Sequence, residues 1–455
     1  MRQICLTILL LTTLTALFSN PIPTNARVID LVEAEAMALQ NNPEYQSSRA
    51  SYESASWART SALSAFLPSL SLGGTWLYMD PATTVSTAGG SITLNNDMRT
   101  ISLSLSQPLF VGGKLWNAYK IAGLGKDIAN TSLKNAELSL KTGVLAKYLD
   151  LLQLKQLYEI GRDDLNSALI NQELAQIKLE NGLITMADFL RFKSRVASKE
   201  VSLLQSTTAL QIGLKDFANY LGAQEPVVPA PLADPEQDEL LAALDAMQAP
   251  AVEVFVQKAS ALGTKSNPSL DILKQSLQIS KRGASIAKGS FLPTVMLTGS
   301  RQYKENGIDR YEFSTADQIM LNVSIPLLPQ IGNYAAWKKA EWEYRKALYD
   351  SQNAEQGIVL GIEAAVLNLV SSAKQVRAAK LTLEYTQVTY EQLQERFKLN
   401  MLSTLELLDA ELMLSSTRMA YTNSLYSFYK NRGTLAGLLG TADPQVLNNL
   451  IINAE

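Results

Sequence analysis

The chain has 455 residues, a formal net charge of −3, no histidine and one cysteine, Cys5. It therefore has no imidazole for acid–base catalysis, no disulfide and no zinc site built from histidine and cysteine. The slightly negative charge offers no basic surface for nucleic acid, so we expect no nucleic-acid partner. We predict a protein that is not an enzyme and that has no cofactor and no bound metal.

Residues 1–26 form a predicted secretory signal peptide. Arg2 supplies the charged start, residues 4–18 supply an apolar core, and Thr24-Asn25-Ala26 is a small-residue cleavage site. The apolar core is short and rich in threonine, which disfavours the alternative of a transmembrane anchor. Cleavage after Ala26 would remove Cys5 and leave no cysteine to carry a lipid anchor.

The rest of the chain contains two copies of one unit. Asn42-Pro43 recurs as Asn267-Pro268 and Phe66-Leu67-Pro68 as Phe291-Leu292-Pro293, both at a spacing of 225. Further on, Pro108-Leu109 recurs as Pro326-Leu327 and Leu221-Gly222 as Leu439-Gly440, both at a spacing of 218. The difference of 7 residues indicates a loop of unequal length between Tyr78 and Pro108. Such a repeat is typical of a duplicated structural scaffold.

The predicted elements follow the same order in both copies. Repeat 1 covers 27–222, with an opening helix at 43–66, strands at 68–79 and 97–107, and a helical hairpin at 112–221. A proline-rich linker at 223–266 is expected to form an equatorial belt at mid-height. Repeat 2 covers 267–440, with an opening helix at 268–291, strands at 293–303 and 316–325, and a hairpin at 331–439, and a tail at 441–455 follows.

Each hairpin rests on a long tract without proline, from residue 109 to 225 and from residue 330 to 443, rich in strong helix formers. Each tract contains one turn signal, Asn181-Gly182 in the first and Asn400 in the second. Glycine and asparagine tolerate the left-handed conformation that a tight turn needs. Each tract is therefore predicted to fold back on itself at that point.

The predicted strands alternate apolar and polar residues, as in Ile101, Leu103 and Leu105 with serines between them. A half-buried hairpin on a soluble core has the same pattern, but the signal peptide and the strand lengths favour an outer-membrane barrel. Four strands leave two edges that a bilayer cannot solvate, so several chains must close the sheet, and three chains give twelve strands with a lumen. The predicted fold is mainly α with a membrane β-barrel: a homotrimer with a 12-stranded barrel and an α-barrel tunnel of duplicated hairpins.

These features resemble the TolC-like outer-membrane efflux protein family (outer membrane factors) over essentially the whole mature chain. The most specific motif is the first strand-to-helix junction, Gln107-Pro108-Leu109-Phe110-Val111-Gly112-Gly113-Lys114. The second junction, Pro326-Leu327-Leu328-Pro329-Gln330-Ile331-Gly332, departs from it by one extra residue and a proline. The junction residues that we single out are Pro108, Gly112, Gly113, Pro326 and Gly332.

The resemblance implies the exit duct of a tripartite efflux or type I secretion system, in the outer membrane of a Gram-negative-type cell and extending into the periplasm. Its expected partners are two further copies of the chain, outer-membrane lipid, a periplasmic adaptor (membrane fusion protein) and an inner-membrane transporter of the RND, ABC or MFS type. Drug, metal and protein cargo are all compatible with the sequence. The main alternative is a cell-surface structural coiled-coil protein, which would explain the helices but not the paired strands.

The resemblance also implies a channel gate at the hairpin tips. The family carries acidic residues around the constriction, and the matching positions are Glu406 and Asp409, with Asp188 as a first-turn acid in the other hairpin. Glu406 and Asp409 are three residues apart and so share a helix face, where three copies would form two acidic rings. The alternative is a solvated helix face, or first-turn carboxylates that favour the helix dipole.

The family's polar ties in the closed state use an arginine and a tyrosine, where this chain has Leu402 and Phe397. We hypothesise that apolar packing of Leu402, Met401 and Phe397 holds the tip closed instead. The residues that we assign to tip packing or to adaptor docking are Gly182, Leu183, Ile184, Phe397, Asn400, Met401, Leu402 and Ser403. Simple packing of the tips is the alternative for the apolar residues in this group.

Overall fold

The computed structural model describes residues 26–93, 96–232, 235–305, 313–328, 330–441 and 444–452. The predicted signal peptide, apart from Ala26, lies outside these residues. The chain divides into two compact units, whose boundaries fall mostly inside long helices. We call Arg49–Ser132 with Ser269–Ala354 the strand unit, and Met1–Ser48 with Leu133–Pro268 and Glu355–Glu455 the tip unit.

The described chain is mainly helical, and its elements follow one order in both repeats. Repeat 1 contains β1 (Arg27–Ile29), α1 (Leu31–Asn41), α2 (Pro43–Ser64), β2 (Ser69–Tyr78), β3 (Thr84–Thr87), β4 (Gly90–Thr93), β5 (Asp97–Val111), α3 (Lys114–Glu180) and α4 (Met186–Leu221). The linker contains β6 (Val227–Pro229), a 3-10 turn at Pro235–Gln237, α5 (Glu239–Ala246) and α6 (Ala249–Ser266). Repeat 2 contains α7 (Pro268–Lys288), a 3-10 turn at Gly289–Phe291, β7 (Thr294–Glu305), β8 (Phe313–Ser324), α8 (Ile331–Lys398) and α9 (Thr404–Leu438), and α10 (Pro444–Ile452) ends the described chain.

The strand unit contains a four-stranded antiparallel sheet in the order β2-β5-β7-β8. Strand β5 runs to Val111, four residues beyond the predicted end at 107, because its pairing with β7 resumes after a register shift between Pro108 and Phe110. A proline has no amide hydrogen for the ladder, and a bulge removes the need for one. Among the described residues, β2 and β8 each pair on one side only.

The two faces of this sheet differ in polarity. The pairing register places Leu70 beside Leu105 and Leu297 beside Leu321 on one face, and Ile319 of that face is 85% exposed. The other face is lined by polar residues that include Ser71, Ser104, Ser300 and Asn322. A contiguous exposed apolar face of this kind marks a surface that meets lipid or another protein.

Arg301 is a charged residue near the loop end of the apolar face, where Asp97, Arg99 and Asp317 also lie. Its register partner on β8 is Asp317, and its Nε atom lies 3.5 Å from Asp317 Oδ1. The guanidinium also lies 5.6 Å from the ring centre of Tyr303. Arg301 and Tyr303 follow the apolar residues of β7 toward its loop. They therefore form a charged and aromatic rim, as at a membrane–water boundary.

The tip unit has a core that joins helices of repeat 2 to the linker and to the tail. Leu240 and Leu244 of α5 and Leu447 of α10 are buried in one cluster with Ile362 and Leu369 of α8. Length and composition alone would let α8 cross a membrane. However, its 68 residues span roughly 100 Å, about three times the hydrocarbon thickness of a bilayer. The burial of Ile362 and Leu369 instead gives this helix a role in the protein core.

The end of each returning helix meets the start of an opening helix in the same way in both repeats. Asn42 Nδ2 donates to the Tyr220 carbonyl at 3.0 Å, and Asn267 Nδ2 donates to the Leu438 carbonyl at 2.9 Å. Gly440, which follows α9, has a φ of +73°, and a β-carbon there would lie 2.4 Å from the Ser266 carbonyl oxygen. The turn therefore requires glycine both for its conformation and for this close approach.

Candidate functional site

The candidate site is formed by the two hairpin tips of the tip unit. The first turn has Gly182 at a φ of +72°, and the second has Asn400 at a φ of +62°. In the first tip the Leu183 amide donates to the Lys178 carbonyl at 2.8 Å, and the Gly182 amide donates to the Leu179 carbonyl at 2.9 Å. The second tip has the equivalent bonds, from Met401 to Arg396 and from Asn400 to Phe397. This bonding pattern closes a helix through one left-handed residue.

Two of the predicted gate acids cap the helices that leave these turns. Ser403 donates to Glu406 Oε2 from its hydroxyl at 2.7 Å and from its amide at 3.0 Å, and the Glu406 amide donates back to Ser403 Oγ. Thr185 and Asp188 form the same capping box at the start of α4. The capping box satisfies amide donors that a helix start otherwise leaves unpaired. The exposed Glu406 therefore has a local structural role, whatever its role in a channel.

These hydrogen bonds also keep the Glu406 carboxylate charged. The Ser403 hydroxyl, and after it the Ser403 amide, lower the pKa of Glu406 below its usual value because both donate to the ionised form. Asp409, one turn further along α9, is exposed, and no hydrogen bond or ion pair of its side chain is found among the described residues. Both acids can therefore place a negative charge at the tip.

An apolar cluster joins the two tips inside the protomer. Phe397 of α8 is 1% exposed, and its ring centre lies 5.8 Å from that of Phe192 of α4. Leu402 and Ile184 pack against this cluster, whereas Met401 is 73% exposed. Thus Phe397 and Leu402 hold one hairpin to the other within a single chain, and Met401 faces outward.

Lys178 is a tip residue that the sequence analysis did not identify. Its ammonium group is buried, lies 4.7 Å from the ring centre of Phe397, and donates to the Asn400 side chain and to the Lys398 carbonyl. Burial lowers the pKa of Lys178 because desolvation penalises the charged form. Lys178 therefore attaches the end of α3 to the turn of the second hairpin.

A buried polar network joins the hairpins further from the tips. Asn171 Nδ2 donates to Tyr390 Oη at 3.0 Å and to Glu411 Oε2 at 3.1 Å. Arg195 Nε donates to Glu411 Oε1 at 2.9 Å, so α3, α4, α8 and α9 all contribute. Burial raises the pKa of the Tyr390 hydroxyl, which therefore stays protonated at neutral pH.

A second buried group lies on the same four helices. Lys199 Nζ donates to Ser415 Oγ at 2.8 Å, and both residues contact the Asp164 carboxylate. Arg418 approaches Asp164 at 3.9 Å and donates to Gln387 at 2.8 Å. Buried charges need such partners, since an uncompensated one is costly.

The two strand-to-helix junctions differ, as their sequences suggested. Gly112 and Gly113 have φ values of +65° and +73°, and a β-carbon on Gly112 would lie 2.2 Å from the Gly289 carbonyl oxygen. Gly332 lies inside the first turn of α8, and a β-carbon there would meet nothing within 4 Å. Pro326 lies between β8 and α8, and its carbonyl accepts a bond from the Gln330 side chain. Only the first junction therefore needs its glycines.

No group of three or more aspartate, glutamate, histidine or cysteine side chains that could hold a metal ion is found in the described ranges. The geometry of the tips is that of a helical assembly with charged and apolar surfaces rather than of a catalytic pocket.

Comparison with known proteins agrees with this geometry. The profile of the family described as "Outer membrane efflux protein" matches residues 36–223 and 262–441, one segment for each repeat. The "Alkaline protease secretion protein AprF" of Pseudomonas aeruginosa is 22% identical over 444 residues, which cover 95% of this chain and 89% of that protein. The "Outer membrane protein TolC" of Vibrio cholerae is 22% identical over 438 residues, which cover 91% of this chain and 92% of that protein.

Among solved structures, that of CusC superposes with a TM-score of 0.76 at 17% identity, covering 93% of this chain and 98% of that one. This likeness establishes a shared fold. The family profile covers well over half of the chain, and the resemblance found in the sequence is confirmed. The chain is therefore a member of the outer membrane efflux protein family and a protein of the outer membrane.

Proposed function

We propose that three copies of this chain form the outer-membrane exit duct of a tripartite efflux or type I secretion system. The observation that carries this proposal is the open four-stranded sheet with one apolar, exposed face. Such a sheet cannot stay open in a bilayer, because its unpaired amides and carbonyls would have no hydrogen-bond partner there. A structural coiled-coil protein would not need a sheet with an exposed apolar face.

Closure of the sheet explains the trimer. If β2 of one protomer pairs with β8 of the next, three chains form a barrel of twelve strands with no edge. Two chains would form eight strands, whose interior fills with side chains, whereas twelve leave a lumen. The polar face that includes Ser71, Ser104 and Ser300 would then line the water-filled interior.

The hairpins would supply the periplasmic tunnel. Helices α3 and α8 have 67 and 68 residues, so each is roughly 100 Å long. Exposed apolar residues at the tips, with Leu183 at 54% and Met401 at 73% exposure, suit contacts with neighbouring protomers and with a periplasmic adaptor. An inner-membrane transporter would supply substrate and energy to this adaptor.

The gate would be acidic, and apolar packing inside each protomer would hold its two tips together. Glu406 and Asp409 lie on one face of α9, and the capping box keeps Glu406 ionised. Three copies of each carboxylate at a constriction would favour cations over anions. Asp188 would add a charge at the other hairpin, while Phe397 and Leu402 would make the two hairpins of a protomer move together.

Disulfide cross-linking of the sheet edges tests the closed barrel directly. The only native cysteine, Cys5, lies in the predicted signal peptide, so the mature chain offers no competing thiol. Leu72→Cys on β2 would be combined in turn with Ile319→Cys, Leu321→Cys or Val323→Cys on β8, all on the apolar face. This panel samples three registers of the new strand pair that differ by two residues each, because a disulfide tolerates only a narrow range of distances.

We expect one of the three pairs to form covalent trimers under oxidation, visible in denaturing gels without reductant. Each single variant serves as the control and should stay monomeric in the same gel. Covalent monomers or open-ended ladders from all three pairs would contradict closure by three chains.

A further inference from the structure

The strand unit contains a cavity of about 380 Å³ between helices α2, α3 and α7. Its polar lining consists of Arg59, Tyr119, Lys120, Asp127, Gln278 and Arg282. All of these residues belong to one protomer and to one compact unit. The cavity is remote in sequence from the tips and takes no part in the proposed gate.

Three cationic side chains, those of Arg59, Lys120 and Arg282, line this cavity together with one carboxylate, that of Asp127. Arg59 Nη2 donates to Tyr119 Oη at 3.1 Å, and its guanidinium lies 5.4 Å from the centre of that ring. Arg282 Nη1 donates to Asn117 Oδ1 at 3.3 Å, and Lys120 Nζ lies 4.9 Å from the Trp116 ring.

These partners are neutral, and they orient the cations without neutralising them. None of the three cations has an ion pair with a carboxylate of the described residues. By contrast, Lys338 and Arg345 of α8, in the same unit, both pair with Glu341. With Asp127 counted, the lining keeps an excess of two positive charges. A ligand with a compact negative charge is therefore the natural complement.

The three cations share one level along the helices. Arg59 lies five residues before the end of α2, Lys120 six residues after the start of α3, and Arg282 six residues before the end of α7. Each is therefore about 8–9 Å from the helix end that adjoins a strand. The headgroup region of a bilayer extends roughly 5–8 Å beyond the hydrocarbon on each side. If the strands span the hydrocarbon, the backbone of these residues lies at the outer edge of the periplasmic headgroups, and long Arg and Lys side chains can reach a lipid phosphate from there.

A neighbouring tryptophan lies one turn closer to the strands. Trp116 lies one turn before Lys120 on the same face of α3 and is 54% exposed. Exposed tryptophan is enriched where a protein passes from hydrocarbon to water. This position suits a ligand that comes from the lipid leaflet rather than from bulk solvent.

We propose that this cavity binds the phosphate group of an anionic phospholipid of the periplasmic leaflet, one for each protomer. Arg59 and Arg282 present planar forks that match phosphate oxygens, and Lys120 adds a point charge. The Tyr119 hydroxyl and the Gln278 amide can complete the hydrogen bonds. The choice of a lipid as the source of the phosphate rests on the proposed membrane barrel.

The test compares thermal melting of the detergent-purified trimer with three probes at equal ionic strength. The probes are dihexanoyl-phosphatidylglycerol, dihexanoyl-phosphatidylcholine and inorganic phosphate. We expect phosphatidylglycerol to raise the Tm most, because a ligand that binds only the folded protein stabilises it. The Arg59→Gln/Lys120→Gln/Arg282→Gln variant should bind this lipid about 100-fold more weakly and lose the shift, from the affinity that each basic residue supplies at a lipid surface.

A matched control removes the same charge elsewhere in the strand unit. Lys274→Gln/Lys339→Gln/Lys346→Gln lies outside the cavity and should keep the full shift. Equal loss in both variants would overturn the site, and an equal shift with inorganic phosphate would overturn the lipid as its source. Channel recordings on the same wild-type sample separate the two proposals. A conducting trimer without a lipid preference refutes only the binding of lipid in the cavity. A trimer that does not conduct refutes the proposed exit duct.

Discussion

Arg195 of the first hairpin and the buried Glu411 of the second form a largely buried ion pair, with 2.9 Å between Arg195 Nε and Glu411 Oε1. The Glu411 carboxylate also accepts from Asn171, whereas Arg195 Nη2 is buried with no partner among the described residues. The charge of Arg195 is therefore compensated by one carboxylate, that of Glu411. It couples α4 to α9, so that the two hairpins of a protomer form one mechanical element.

Replacing Glu411 with glutamine should separate these hairpins. The variant leaves the largely buried Arg195 charge uncompensated. Breaking a fully buried pair costs about 3–5 kcal/mol, and we expect a loss of at most this size here. We expect a lower Tm and faster protease cleavage in the hairpins. The swapped pair Arg195→Glu/Glu411→Arg should recover part of the Tm, and a Glu411→Gln variant as stable as the wild type would show that the pair is dispensable.

Lys178 should make the tip more stable as the pH rises through the alkaline range. Its folded pKa is lowered below the ordinary value of 10.5, so the unfolded chain binds more protons between the two values. Stability must therefore increase with pH in that window, up to about pH 10.5.

Lys178→Met keeps the packing against Phe397 and removes the titrating group. Above neutral pH, the Tm of the wild type minus the Tm of this variant should increase with pH. Taking the difference cancels the titration of the tyrosines, which both proteins share. A constant difference across this range would contradict the assignment.

The capping box at the second tip should set the pH range in which the gate stays charged. The Ser403 bonds lower the pKa of Glu406, so Ser403→Ala should return that pKa toward its usual value. Glu406 caps the start of α9 only while its carboxylate is ionised, that is, above its pKa. As the pH falls, the variant therefore loses this cap at a higher pH than the wild type does.

The readout for Ser403→Ala is the reversal potential as the pH is lowered. The loss of cation selectivity should begin at a higher pH in the variant. Thr185→Ala, which removes the corresponding cap of the first tip, is the matched control and should change the profile less. Identical profiles for Ser403→Ala and the wild type would exclude Glu406 from the gate.

Alanine at the two junction glycines should have opposite outcomes. Gly112→Ala forces a side chain into a left-handed residue 2.2 Å from the Gly289 carbonyl oxygen, so we expect little folded trimer. Gly332→Ala meets open space in a helix, where alanine is favoured over glycine by about 1 kcal/mol. Yields of heat-resistant trimer compare the two, and equal yields would mean that the first junction can rearrange.

Local patterns in the sequence were sufficient to predict the long helices, the turns and the strands of the sheet. The turn residues Gly182 and Asn400 act through their own backbone conformation, and strand alternation has a period of two that is readable without the rest of the fold. The short strands β1 and β6 were not predicted. They pair in parallel between Arg27–Ile29 and Val227–Pro229, about two hundred residues apart in the sequence, and a three-residue strand carries little local signal.

The buried charges of the tip unit could not be predicted for a different reason. A lysine such as Lys199 or Lys178 in an amphipathic helix resembles a solvated residue until the second hairpin covers it. The capping boxes, by contrast, were readable as Thr185 followed by Asp188 and Ser403 followed by Glu406. These acids were interpreted through the family resemblance as gate residues, and the structure adds their capping role.

The most direct test of the exit duct is single-channel recording of the purified mature trimer in planar bilayers. The wild type should give small, cation-selective openings, and Glu406→Gln/Asp409→Asn should conduct with its selectivity lost. The substituted amides keep the size of the side chains and remove the charges, so a change in selectivity reports the ring itself. A folded trimer that inserts and never conducts, or that prefers anions, would contradict the account.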